Sequence, residues 1–301
     1  MRRIWTSVFS FFSLFYALTA TPAGALTVVV NFKTAAQGNT TATTGDTVGA
    51  FDQTAYGFSA GQLSTLTSSI MTELNRDYHS IPTQATLPGS PIPAGFELNI
   101  DFITGLIGQA PSNGDSEYYY AQVGTGVSGS NIGGLGVAST NSIRFSNGAD
   151  GSAANHATVC SIFTNQIVTL ASLSPSNALT SGNLPFSTYA IEGTLAHEIG
   201  HTLSLSHINK VGSVQPSGAV SSGGPSPLMG TGAIDLPNQD RITDREFSLS
   251  GVDGENANAP RTHIAQLVAA IGLRAVPEPG TLTLLLLAAM PALRRSRRRA
   301  D

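Results

Sequence analysis

Residues 197–207 read His197-Glu198-Ile199-Gly200-His201-Thr202-Leu203-Ser204-Leu205-Ser206-His207, and this run constrains the chain more than any other. Two histidines four residues apart on a helix share one face, with Cβ atoms roughly 5–6 Å apart. Both imidazoles can then meet one metal ion. Glu198 is adjacent in sequence but sits at a different azimuth, so it can reach a water on that ion without being a ligand. His207 lies too far along for the same face. It returns only if the helix ends near Ser204 and the chain turns back. Three neutral imidazoles and one water make an open tetrahedral zinc site. The expected ligands are therefore His197, His201 and His207, the expected cofactor is one Zn2+, and Glu198 is the expected general base.

The rest of residues 26–273 reads as one α+β domain. Leu26–Phe32 is β-branched and apolar, a strand. Leu63, Leu66, Ile70, Leu74 and Tyr78 recur at helical steps. Residues 82–93 read as a loop, and Glu97–Phe102 alternates like a half-buried strand. Residues 118–145 look like short strands among glycines. A helix is expected over 188–203, with Thr188 as its N-cap and Ile191, Leu195 and Ile199 as its apolar stripe. A Gly/Ser/Pro loop fills 208–227, and a last helix carries Ile264, Leu267, Val268 and Ile271. Strand, helix, strands, helix, loop, helix is an α+β order.

Pro225-Ser226-Pro227-Leu228-Met229-Gly230 follows the histidine run by 22 residues at Met229. With it, the extended motif resembles the metzincin metallopeptidases, and the Gly200, Leu203, Leu205 and Leu228-Met229 pattern is most similar to their matrixin-like branch. The resemblance covers 26–273. It implies an N-terminal twisted mixed sheet with a backing helix and an active-site helix, then an irregular C-terminal subdomain ending in a helix. It implies hydrolysis of peptide bonds in a peptide or protein substrate by zinc-activated water, with Met229 as the Met-turn beneath the metal. It also implies a cleft with 134–138 as an edge strand, although a strand elsewhere in the sheet reads equally well. Ser204 departs from the family, which has Gly where the chain reverses. Serine at positive φ costs roughly 1–2 kcal/mol.

Both termini read as addresses. Arg2-Arg3, an apolar stretch from Ile4 to Ala20 and Ala23-Gly24-Ala25 form a secretory signal, residues 1–25, leaving no room for a pro-segment before Leu26. Pro277-Glu278-Pro279, an apolar run and five arginines in the last eight positions resemble the PEP-CTERM sorting signal of Gram-negative bacteria, residues 276–299. That implies export across the inner membrane, a transient membrane anchor, an exosortase-like processing enzyme as partner, and a destination at the cell surface or outside it. A simple tail anchor is the alternative.

Composition excludes other classes. Residues 26–275 carry 8 basic and 17 acidic residues, a net −9, which argues against nucleic-acid binding. One cysteine excludes an internal disulfide framework. Cys160 reads as a buried structural residue rather than an inhibitory zinc ligand. His79, His156 and His263 read as ordinary polar residues. Glu192 reads as a helix-dipole partner near the start of its helix. Asn147-Gly148-Ala149-Asp150-Gly151 reads first as an ordinary turn and second as a Ca2+ site. A monomer is expected. The competing function is a non-catalytic matrix or cell-surface protein with a structural zinc. A gluzincin, whose third ligand is a distant Glu, is disfavoured by His207.

Overall fold

The computed structural model describes residues 24–79, 91–145, 148–209, 226–230, 238–247, 251–253, 260–261 and 263–276. Residues 1–23 and 277–301, which hold nearly all of the expected signal and sorting segments, therefore lie outside the described residues, as does most of the loop expected over 208–227. No helix among the described residues is long and apolar enough to cross a membrane.

The fold is mixed α+β. In chain order its main strands are β1 (Leu26–Phe32), β2 (Ile100–Thr104), β3 (Tyr118–Ser128), β4 (Gly136–Ala138) and β5 (Thr158–Phe163). Its long helices are α1 (Leu63–His79), α2 (Leu184–Thr202) and α3 (His263–Ile271). Across the sheet the order is β2-β1-β3-β5-β4, parallel throughout except for β4, which runs antiparallel at the edge. A hairpin of Thr40–Thr41 and Thr47–Gly49 pairs antiparallel with the far end of β3.

β1 is buried from Leu26 to Asn31. A strand covered on both faces reads as a continuous apolar run, which is why Leu26–Val30 shows no alternation. On one face Leu26, Val28 and Val30 join the main core with Leu66, Ile70 and Leu74 of α1. On the other, Val29 packs with Tyr118 and Tyr120. The three consecutive tyrosines are thus successive residues of β3, pointing to alternate faces. The strand β5 was not expected from sequence. All six of its residues, Thr-Val-Cys-Ser-Ile-Phe, are buried, so neither face leaves a polar signature. Cys160 lies in it, free and buried as expected.

Helix α2 begins before the expected Thr188. Its N-cap is Asn183, whose side chain accepts from the Phe186 N–H at 3.0 Å, with Pro185 in the first turn. Thr188 instead lies inside the helix, buried, 3.0 Å from Ser69 of α1. The earlier start moves Glu192 from the first turn to the middle of the helix, so the dipole role is corrected: Glu192 is buried against α1. Most of α2 is buried all round, as a helix between sheet, α1 and the C-terminal segments must be. After α3 the chain forms a separate two-stranded ladder: Leu273–Ala275 pairs antiparallel with Phe96–Leu98, and Arg274 bridges Glu97 and Asp101, each at 2.7 Å.

Candidate metal centre

His197 and His201 sit one turn apart on α2, and the chain reverses immediately after it. Ser204 adopts φ +72°, the left-handed conformation expected to cost a serine. Leu205 N–H bonds Gly200 C=O at 3.0 Å and Ser204 N–H bonds His201 C=O at 3.1 Å, the pair of bonds that closes a Schellman turn. Ser204 Oγ donates to Arg144 C=O at 2.6 Å, which offsets the backbone strain. The loop carrying Arg144 also satisfies the helix end: Asn141 and Ile143 N–H groups donate to His201 and Thr202 carbonyls. The reversal brings His207 back beside its predecessors.

The result is a tight triangle of rings. His201 Nε2 lies 3.1 Å from His197 Nε2 and 3.0 Å from His207 Nε2. Nitrogens about 2.0–2.1 Å from a common tetrahedral zinc would stand roughly 3.3 Å apart, so the spacing fits one ion. The protons support the same conclusion. His197 Nδ1 lies 2.8 Å from Leu228 C=O, and His201 Nδ1 lies 2.8 Å from Leu205 C=O. A carbonyl only accepts, so each Nδ1 carries the proton and each Nε2 a lone pair. Burial pushes His197 well below the ordinary imidazole range and His201 down to about 4, so neither gains a second proton near neutrality. Lone pairs facing each other at 3 Å repel until a cation stands between them. The three histidines are close enough to bind a metal ion, and among the described residues they form the group that can.

The described segment that starts at Ser226 braces this triangle. Ser226–Pro227 pairs with Arg245–Glu246, and Leu228 N–H donates to Glu246 C=O at 2.8 Å. That fixes the carbonyl that orients His197. Met229 is fully buried beneath α2: a Cβ on Gly200 would come within 2.6 Å of its sulfur. The methionine and the helix therefore approach to a distance only glycine allows.

Glu198 is 8% exposed and lies against the edge strand β4, where a Cβ on Gly136 would meet its Oε1 at 2.9 Å. Burial lifts its carboxyl to about 8, and the charge of Arg241 acts in the opposite sense. His197, Glu198 and His207 line one cavity of about 170 Å³, with Gly136 and Gly230 among its walls. The carboxyl and the ligand nitrogens thus face the same space.

Two groups near the centre had no signal in the sequence. Arg241 lines that cavity. Arg245 is 2% exposed, and a Cβ on Gly193 would fall 1.9 Å from its Nη2, so the guanidinium lies flat on α2. It sits beside Glu192, which hydrogen-bonds Asp77 of α1. Asp77 Oδ2 and Glu192 Oε1 have no hydrogen-bond partner, and burial raises both carboxyls, Asp77 to about 7. Arg76 closes the outer side through Glu73 at 2.8 Å, Asp77 at 3.2 Å and Asp244. This cluster joins α1, α2 and the segment that braces His197.

The other candidate residues stay apart from the centre. His79 Nε2 lies 2.7 Å from Ile100 C=O, His156 stacks on Tyr118, and His263 is buried at the start of α3. Of the calcium candidate, Asn147 lies outside the described residues. Asp150 makes a β-bridge with Arg144, and Gly148 N–H donates to Phe145 C=O at 2.9 Å.

No family model matches the chain, and no curated protein matches it. One solved structure that the chain resembles is described as "Structure of a chaperone-substrate complex", at 13% identity and a TM-score of 0.27. The overlap covers 82% of this chain and 34% of that one, so the chain spans about a third of its length.

Proposed function

We propose that the chain is an exported zinc-dependent endopeptidase of metzincin type, similar to the matrixin-like branch. The observation that carries this is the convergence of three Nε2 atoms on one point, with Glu198 facing the same cavity. His197, His201 and His207 would hold the ion. Zinc in that position supplies Lewis acidity to a water and to a scissile carbonyl. Glu198 takes a proton from the attacking water and returns it to the leaving amine. Gly136 keeps room for that carboxyl beside the edge strand. β4 pairs with β5 on one side, and an extended peptide can add to its other edge, which runs past Glu198. Met229 and Leu228 hold the ligand helix and His197 in place. Export and exosortase-like processing of the tail rest on residues 1–25 and 276–299 alone.

The test uses the full chain beside Glu198→Gln, with zinc per chain and casein cleavage measured in the same preparations. One zinc in both is expected, with cleavage falling about 10²-fold or more in the variant. One zinc in both with no cleavage in either would leave the metal structural, and no zinc at all would mean the histidines serve another purpose. His207→Ala should weaken zinc binding. Unchanged affinity would put the third ligand elsewhere.

A further inference from the structure

The cavity beside the histidines contains a charge that the proposed reaction does not use. Arg241 belongs to the short turn Asn238–Ile242 and is 9% exposed. It lines the cavity together with Gly136, Thr194, His197, Glu198 and Gly230. Its Nε has no hydrogen-bond partner. Among the described residues no carboxylate makes an ion pair with its guanidinium. Burial disfavours its charge most, Arg245 nearby repels it, and Glu198 across the cavity compensates only in part, so its pKa is lowered to about 10. A buried cation with spare donors is unfavourable by itself and favourable once a carboxylate reaches it. The other walls offer Arg241 one acidic group, Glu198, which makes no ion pair with it among the described residues, and two of them are glycines without side chains.

We infer that this cavity takes an acidic side chain of the substrate, its carboxylate bonded by Arg241, next to the cleaved bond. The inference rests on the peptidase reading and adds a substrate class to it: chains with Asp or Glu beside the scissile position. Arg241 acts here as a specificity residue. Its planar fork suits a carboxylate better than a lysine would.

The test has two arms. In the first, cleavage positions in a mixed peptide digest are read by mass spectrometry, and Glu and Gln versions of one cleaved peptide are compared by kcat/KM. In the second, the same two peptides are titrated into zinc-loaded Glu198→Gln by calorimetry, which needs no turnover. The Glu peptide is expected to be favoured about ten-fold or more in both arms, as a charge-assisted hydrogen bond gives. Arg241→Gln should bring both ratios close to one, and Arg241→Lys should leave an intermediate ratio. Melting temperature and zinc content check that the variants remain folded.

A ratio near one in the wild type overturns the inference, as does a ratio that survives in Arg241→Gln. Equal slowing of both peptides by Arg241→Gln overturns it too, and makes the arginine a partner of Glu198. A preference that follows a free C-terminus rather than the side chain, seen with amidated peptides, overturns it in favour of a chain-end site. If neither casein nor any peptide is cleaved, the peptidase reading fails, and the calorimetric ratio still decides what the cavity prefers.

Discussion

The chain before His207 and the chain after it serve the same centre by different means. The first part is regular. Five strands and two long helices bury both faces of β1 and nearly all of α2, and they place His197, Glu198 and His201 by helical geometry alone. In the described second part, strands of two or three residues and one turn do the work before α3 begins. Yet that part supplies the carbonyl on His197, the methionine beneath Gly200, the cavity arginine and the buried Arg245. Ligands come from a rigid scaffold, while their orientation comes from a segment with little secondary structure. Such a segment is held by a few buried contacts, so it is the part where single substitutions should act most.

Gly193→Ala breaks the link between the parts most directly. Alanine is the better helix former by about 1 kcal/mol, so an isolated α2 would gain. Here the new Cβ would fall 1.9 Å from Arg245 Nη2, so the buried guanidinium would have to shift off α2. Its charge would leave Glu192 and Asp77. A net loss of about 3 kcal/mol or more is expected in denaturant unfolding, with weaker zinc binding. A gain in stability would mean that Arg245 does not couple the two parts.

The carboxyl pair sharpens the same point through pH. Burial lifts Glu192 well above the carboxylate range and Asp77 to about 7, so the folded state keeps a proton that the unfolded chain releases near 4. Stability from this pair is full below about pH 4 and is lost as the pH rises through about 7. For one proton the slope reaches about 1.4 kcal/mol per pH unit. Unfolding midpoints should fall as the pH rises from about 4 to about 7, and Asp77→Asn should flatten that fall. An identical slope in the variant would assign the proton elsewhere.

What was legible in the sequence follows the same division. The ligand set depends on spacings within eleven residues, and local spacing is what a helix and its reversal express. β1, α1 and α3 were equally plain, because each carries a periodic or continuous apolar pattern. The sequence places the start of α2 too late because its apolar stripe begins at Ile191, whereas the cap, Asn183 followed by Pro185, lies eight residues earlier, about two turns. That signal was present and is the one to weigh first. β5 has no alternation to read, since both of its faces are covered. Glu192 meets Asp77 and Arg245 across more than fifty residues on either side, and Arg241 reaches the cavity from over forty residues beyond His197. Long-range pairing of charges leaves no local pattern.

Ser204 gives the smallest expected effect and the clearest control, because its contacts lie wholly within the regular part. Ser204→Gly removes a left-handed serine, a gain of roughly 1 kcal/mol, and removes the Oγ bond to Arg144 C=O, a loss of about the same size. The two should cancel to within about 0.5 kcal/mol in unfolding free energy. Ser204→Ala keeps the strain and loses the bond, so it should cost about 1 kcal/mol. In both variants the backbone bonds of the turn remain, and with them the Leu205 carbonyl on His201. Zinc affinity, measured by chelator competition, should therefore stay within about two-fold while stability moves. If Ser204→Gly instead stabilises the chain by the whole strain term, the Arg144 bond contributes nothing. If zinc affinity falls with either variant, the reversal itself depends on the side chain. The regular part would then be as vulnerable at its end as the irregular part is throughout.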